Sequence, residues 1–98
     1  MLNHNQARQL VQSQLDSRAP EMGCEAVIID SATLERSFGW VFFYQSKQYV
    51  LGDHSWALAG NAPLIVNRHT GQIVATGTAH PVEDYVARYE ASLASGGA

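Results

Sequence analysis

The sequence predicts an α+β fold: a two-layer domain with a mainly antiparallel sheet of about four to five strands and an N-terminal and a C-terminal helix packed on one face. Three observations predict it. Apolar residues near both ends repeat at helical spacing. The segments between them alternate with a period of two and are rich in aromatic and β-branched residues. Turn residues separate those segments by so few positions that neighbouring strands must return as hairpins. The chain has 98 residues, which suits one domain over 1–94 with 95–98 as a frayed tail.

Residues 3–17 read as the first helix. Ala7, Leu10, Val11 and Leu15 form one narrow apolar stripe, Asn3 or Asn5 can serve as the N-cap, and Pro20 and Gly23 mark the exit loop. Residues 25–30 read as a strand and 31–38 as a polar connection. Residues 39–45 form the clearest strand, with Trp40, Phe42 and Tyr44 on one side and Val41 and Phe43 on the other. Ser46 and Lys47 suit a two-residue turn into a short returning strand from Gln48 to Leu51, and residues 52–62 are a loop.

Pro63 opens the next strand, Leu64 to Asn67, where its missing N–H costs nothing. Arg68 to Gly71 makes a turn into the partner strand, Gln72 to Thr76. Pro81 stands at the first position of the last helix, with Glu83 and Asp84 in the first turn, where acidic groups suit the helix dipole. Val82, Tyr85, Val86, Tyr89 and Leu93 give that helix a full apolar face. One feature sits badly with two layers. The 39–45 strand is apolar on both sides, whereas a two-layer sheet should keep one face wet. Either curvature shelters the second side or part of it is a partner surface.

Composition narrows the function classes. At 46% apolar residues, the chain can bury enough surface to offset its entropy, so disorder is not expected. The net charge is −3, and the basic residues Arg8, Arg18, Arg36, Lys47, Arg68 and Arg88 are scattered, which leaves no stripe to track a phosphate backbone. No nucleic-acid partner is expected. Cys24 is alone, so no internal disulfide can form, which fits a reducing compartment. The N-terminus lacks the basic region and apolar run of a signal peptide, and no apolar run is long enough to span a membrane. A cytoplasmic protein with no membrane partner is the expectation.

No constellation has the spacing of an active site. His4, His54, His69 and His80 show no convergent ligand pattern, so no metal and no cofactor are expected. Asp53, His54 and Ser55 contain triad residue types, but adjacent side chains cannot relay to one another. Cys24 lacks a helix start that would lower its thiol pKa, and no phosphate-cradling glycine motif occurs. The chain therefore reads as non-catalytic. The candidate contact residues are Trp40, Tyr44, Asp53, His54, Trp56 and Asn61. Trp56 lies in a polar loop, where it either plugs one end of the sheet or is held out for contact, since Trp and Tyr bury large area with few rotors to freeze. Asn61, before Ala62 and Pro63, suits a turn through its own side chain.

The run Gly39-Trp40-Val41-Phe42-Phe43-Tyr44, then Ala59-Gly60-Asn61-Ala62-Pro63-Leu64-Ile65-Val66, then Thr70-Gly71 and Pro81-Val82-Glu83-Asp84-Tyr85, resembles the YrhB-like family, also described as immunity protein 35. The resemblance covers roughly residues 1–92, and its specificity comes from the order of the linked motifs. Members often carry Gly where Ala62 stands and an acidic residue where Asn67 stands. The resemblance implies a bacterial cytoplasmic protein, often encoded beside a polymorphic toxin, that neutralises that cognate toxin protein by binding it. It also implies toxins of diverse kinds, papain-like peptidases or deamidases among them. One member is regarded as a small chaperone, so a chaperone-like or adaptor role is the alternative. Edge strands open to pairing leave a homodimer as a further expectation.

Overall fold

The computed structural model describes residues 1–94, so the expected tail at 95–98 lies outside the described residues. The first helix, α1, runs His4–Met22. Asn3 caps it: its side chain accepts from the Gln6 N–H at 2.8 Å, and the Gln6 side chain accepts from the Asn3 N–H at 3.0 Å. The helix passes the expected end at residue 17 and carries Pro20 in its last turns. Gly23, at φ 74°, ends it and donates its N–H to the Ala19 carbonyl. Ala7, Val11 and Leu15 are buried as the stripe predicts, whereas Leu10 is exposed.

The described residues contain six short strands in two antiparallel sheets. β1 (Ala26–Ile28) pairs with β4 (Tyr44–Ser46). β2 (Leu34–Arg36), β3 (Gly39–Phe42), β5 (Leu64–Asn67) and β6 (Ile73–Ala75) form the other sheet, in the order β2-β3-β5-β6. The expected long strand at 39–45 is thus two strands that break at Phe43 and serve different sheets. The expected polar connection at 31–38 holds a 3-10 turn, Asp30–Ala32, and edge strand β2.

The returning strand expected from Gln48 to Leu51 is helical instead. α2 spans Lys47–Val50, because the Ser46 hydroxyl accepts from the Tyr49 N–H at 3.1 Å and so starts a helical turn rather than a hairpin. The hairpin of β5 and β6 forms as expected. Asn67 holds its turn by accepting from the N–H groups of His69 and Thr70, and Gly71 takes φ 73°. α3 spans Val82–Ala94.

The α+β class and the antiparallel pairing hold, but the helices do not share a face. Trp40, Phe42, Leu64 and Val66 pack with Ala7, Val11 and Leu15 of α1 and with β1. Phe38, Val41 and Ile65 pack with Val86 of α3. β3 and β5 alternate two apolar sets, and each set finds its own helix. That resolves the dry second face: a third layer covers it, so neither curvature nor a partner is required there.

Candidate functional site

The sequence-derived candidates separate into three places. Trp40 is in the core. It is 2% exposed, with the Arg68 guanidinium 4.8 Å from its ring centroid and the His4 ring 6.3 Å away. As a free contact anchor it is therefore corrected. Its period-two position beside Phe42 puts it on the face that α1 closes.

Asp53, His54 and Trp56 lie together on a shoulder made of α2 and a 3-10 turn, His54–Trp56. Asp53 caps that turn, accepting from the Ser55 N–H at 3.2 Å and from its hydroxyl at 2.5 Å. The His54 ring sits 5.2 Å from that of Tyr49. Trp56 is 43% exposed, neither plugged into the sheet nor fully free, and Val50 and Leu51 of the same shoulder are exposed at 52% and 77%. These two aliphatic residues join the candidate surface through tertiary structure, since the expected strand would have paired them.

Tyr44 and Asn61 border a cleft of about 430 Å³ between the C-terminal half of α1 and the 58–61 loop. Leu15, Met22, Leu58 and Leu64 supply its apolar lining, and Gln14, Arg18 and Glu21 come from the helix side. Burial raises the pKa of the Tyr44 hydroxyl above the ordinary phenol value, and the charge of Arg18 pulls the other way. The phenol thus remains a protonated donor at neutral pH. The Asn61 turn expected from sequence is realised differently. Its amide reaches across to donate to the Tyr44 carbonyl at 2.8 Å.

Three consecutive residues of β4 shape the whole region. The Ser46 hydroxyl, fully buried, donates to the Trp56 carbonyl at 2.5 Å. The Gln45 side-chain carbonyl accepts from the Leu58 N–H at 2.7 Å. The Tyr44 carbonyl accepts from Asn61. A loop that is long for a compact domain is thereby held in one shape, which lowers the entropy lost when a partner docks. Sequence reading placed Gln45 at the end of a strand and Ser46 in a two-residue turn; Ser also suits a helix N-cap, but Tyr49 stands where a Glu or Gln would have completed that signal.

Among the described residues no three His, Cys, Asp or Glu side chains come together to hold a metal, and no helix is long and apolar enough to cross a membrane. The geometry offers contact area, a cleft and a fixed loop.

The model of the family described as immunity protein 35 matches residues 5–92. The chain belongs to the immunity protein 35 family. It is also similar to "Uncharacterized protein YrhB" of Escherichia coli (strain K12), with 40% identity over 62 residues. That stretch is 62% of this chain and 66% of the relative, just under two thirds of the relative's length. No solved structure matches. The immunity protein 35 match spans α1, both sheets and most of α3, and so includes both the shoulder and the cleft.

Proposed function

We propose that this chain is a non-catalytic immunity protein that binds a cognate bacterial toxin in the cytoplasm and neutralises it stoichiometrically. The observation that carries the reading is the family match over residues 5–92. The 44–61 region supports it as the contact surface. Trp56, Val50 and Leu51 give exposed apolar area, Asp53 and His54 give a polar rim, and Tyr44 and Asn61 border a cleft. An apolar centre with a polar rim is how stable protein interfaces are built. A papain-like peptidase or deamidase is the toxin class we put first.

The test is co-expression of this chain with the toxin domain encoded beside it, scored by growth and by co-purification. Rescue with a one-to-one complex is the expected outcome, and Trp56→Ala should weaken that complex about tenfold or more. Toxicity that the chain fails to relieve would overturn the reading. Binding that survives both Trp56→Ala and Tyr44→Ala, with folding intact, would move the interface elsewhere.

The exposure of Val50, Leu51 and Trp56 favours one second reading, a chaperone-like binder of unfolded chains. That role requires an apolar-surface dye to brighten on the native protein and compete with an unfolded client; a dark native protein argues against it.

A further inference from the structure

We propose that the cleft between α1 and the 58–61 loop receives an acidic side chain of the protein partner, with its carboxylate held by Arg18 and the Tyr44 hydroxyl and its carbon stem lying on Leu15 and Leu58. This inference rests on the inhibitor reading above and names what the partner must present.

Arg18 carries the argument. Arg8, Lys47 and Arg68 each have an ion-pair partner, at Asp30, Glu25 and Glu35. Arg18, Arg36 and Arg88 form no ion pair among the described residues, and of the three only Arg18 lines the cleft, with Glu21 one turn further along the same wall. The Arg18 charge instead reaches the Tyr44 hydroxyl, where it partly offsets the effect of burial. Among the described residues neither the Arg18 guanidinium nor the Tyr44 hydroxyl makes a side-chain hydrogen bond, and a carboxylate is a group that can accept from both.

The rest of the lining narrows the ligand. The lining is mixed: Leu15, Met22, Leu58 and Leu64 give it an apolar part beside the polar groups, and a bare small anion would leave that part unfilled. Glu21 places a negative charge on the same wall, which disfavours a doubly charged phosphate and tolerates a singly charged carboxylate. One cation cannot track a nucleic-acid backbone. A volume of about 430 Å³ accommodates one side chain with its flanking backbone. Leu58 of the cleft lining stands two residues after Trp56, and its N–H donates to the Gln45 side chain, so the chain runs directly from the shoulder to the cleft. A partner seated on Trp56 therefore has the cleft within reach. The loop wall is already in place through Asn61 and Gln45, so little ordering is needed to receive the carboxylate.

The experiment uses the full chain and the toxin domain encoded beside it. Arg18 is exposed on α1, so its variants should fold; circular dichroism checks this. Arg18→Gln should weaken the complex about tenfold or more, whereas Arg88→Gln on α3 should leave it unchanged. Arg18→Glu should weaken it further, and exchange of one particular Asp or Glu of the toxin for Arg should restore binding to Arg18→Glu alone. A complex that forms with native affinity in Arg18→Gln overturns the cleft assignment and leaves the inhibitor reading standing. If no complex forms at all, the inhibitor reading fails, and the free chain then decides the chemistry of the cleft. Titration with N-acetyl-glutamate amide should shift the backbone resonances of Leu58 and Asn61 more than N-acetyl-glutamine amide does, and Arg18→Gln should erase the difference. Equal responses to the two probes overturn the carboxylate site.

Discussion

On one face of the four-stranded sheet, Trp40, Phe42, Leu64 and Val66 meet Ala7, Val11 and Leu15 of α1, and the buried cluster continues into β1. On the other, Phe38, Val41 and Ile65 meet α3, whose Val86 is buried while Val82, Tyr89 and Leu93 are only partly so. The polar ties differ in the same sense. α1 is fastened by the Arg8–Asp30 pair and by Gln12, which donates to the Ala26 carbonyl at 2.8 Å. Among the described residues α3 makes no ion pair, and it is tied through its tyrosines: Tyr89 accepts from Asn67 and Tyr85 accepts from the Ala79 N–H. The candidate surface stands on the better-buried face, since Tyr44 and Leu58 pack against the α1 cluster. A contact region gains from a rigid base, because each side chain already fixed is one less to order on binding. α3 can close the second face without shaping that region.

The largest effect should come where both faces share one backbone. Gly39 opens β3 at φ 149°, and a Cβ there would fall on the Val66 carbonyl oxygen, with the Arg68 nitrogen 2.9 Å away. Both obstacles are backbone atoms of the neighbouring strand and its exit, so neither can rotate aside. Gly39→Ala should cost on the order of 4 kcal/mol or more and loosen the two faces together, as read by urea unfolding. Native-like stability would mean that the pairing of β3 with β5 is not the shared spine described here.

Truncating one residue on each face tests the contrast directly. Leu15 is 2% exposed, and Leu15→Ala should cost about 2–5 kcal/mol. Leu93 is half-buried near the end of α3, and Leu93→Ala should cost about 1 kcal/mol or less. Similar midpoint shifts for the two variants would break the comparison. The pair is well suited to this because the chemistry removed is identical and only the surroundings differ.

What the sequence reveals follows the same division. α1, α3 and the β5–β6 hairpin were legible because each carries a periodic apolar set with its own start or turn signal: Asn3 at one start, Pro81 at another, Gly71 in the turn. The split at Phe43 was hidden because the side-chain alternation continues across it; Tyr44 still lies on the side of Trp40 and Phe42. β2 has three residues and one apolar side chain, too little for a period to register. Trp40 was placed on the right side of its strand, but the helix that covers that side is a tertiary fact. Arg18 resembles the other scattered cations in sequence. It comes to line a cleft only when the 58–61 loop lies opposite α1.

A smaller effect, confined to one face, should follow removal of the Ser46 hydroxyl. That group is fully buried, accepts from Tyr49 and donates to Trp56, so Ser46→Ala strands an N–H and a carbonyl at once. The cost should be about 1–2 kcal/mol. Hydrogen exchange should accelerate over 53–58 and stay unchanged in α3. Acceleration spread evenly over both would show that the loop is not held by β4 as argued.

The smallest effect sharpens the comparison through pH. The Arg8 guanidinium donates to both Asp30 oxygens, at 2.6 and 3.0 Å, and this holds the Asp30 pKa below the usual carboxylate value. A depressed folded-state pKa stabilises the fold above the unfolded value of about 4, and that contribution is lost as pH falls through the folded value. Both side chains are more than a third exposed, so the pair is worth only about 0.2–1 kcal/mol and should weaken in high salt. Asp30→Asn should therefore lower stability slightly at pH 7 and leave it unchanged at pH 2, narrowing the acid-dependent part of the curve. Because the tie joins α1 to the turn after β1, the loss should appear as faster exchange at the start of α1 while α3 keeps its native rates. Equal loosening of both helices would mean that the two faces melt as one unit, and that the ion pair does not distinguish the α1 face.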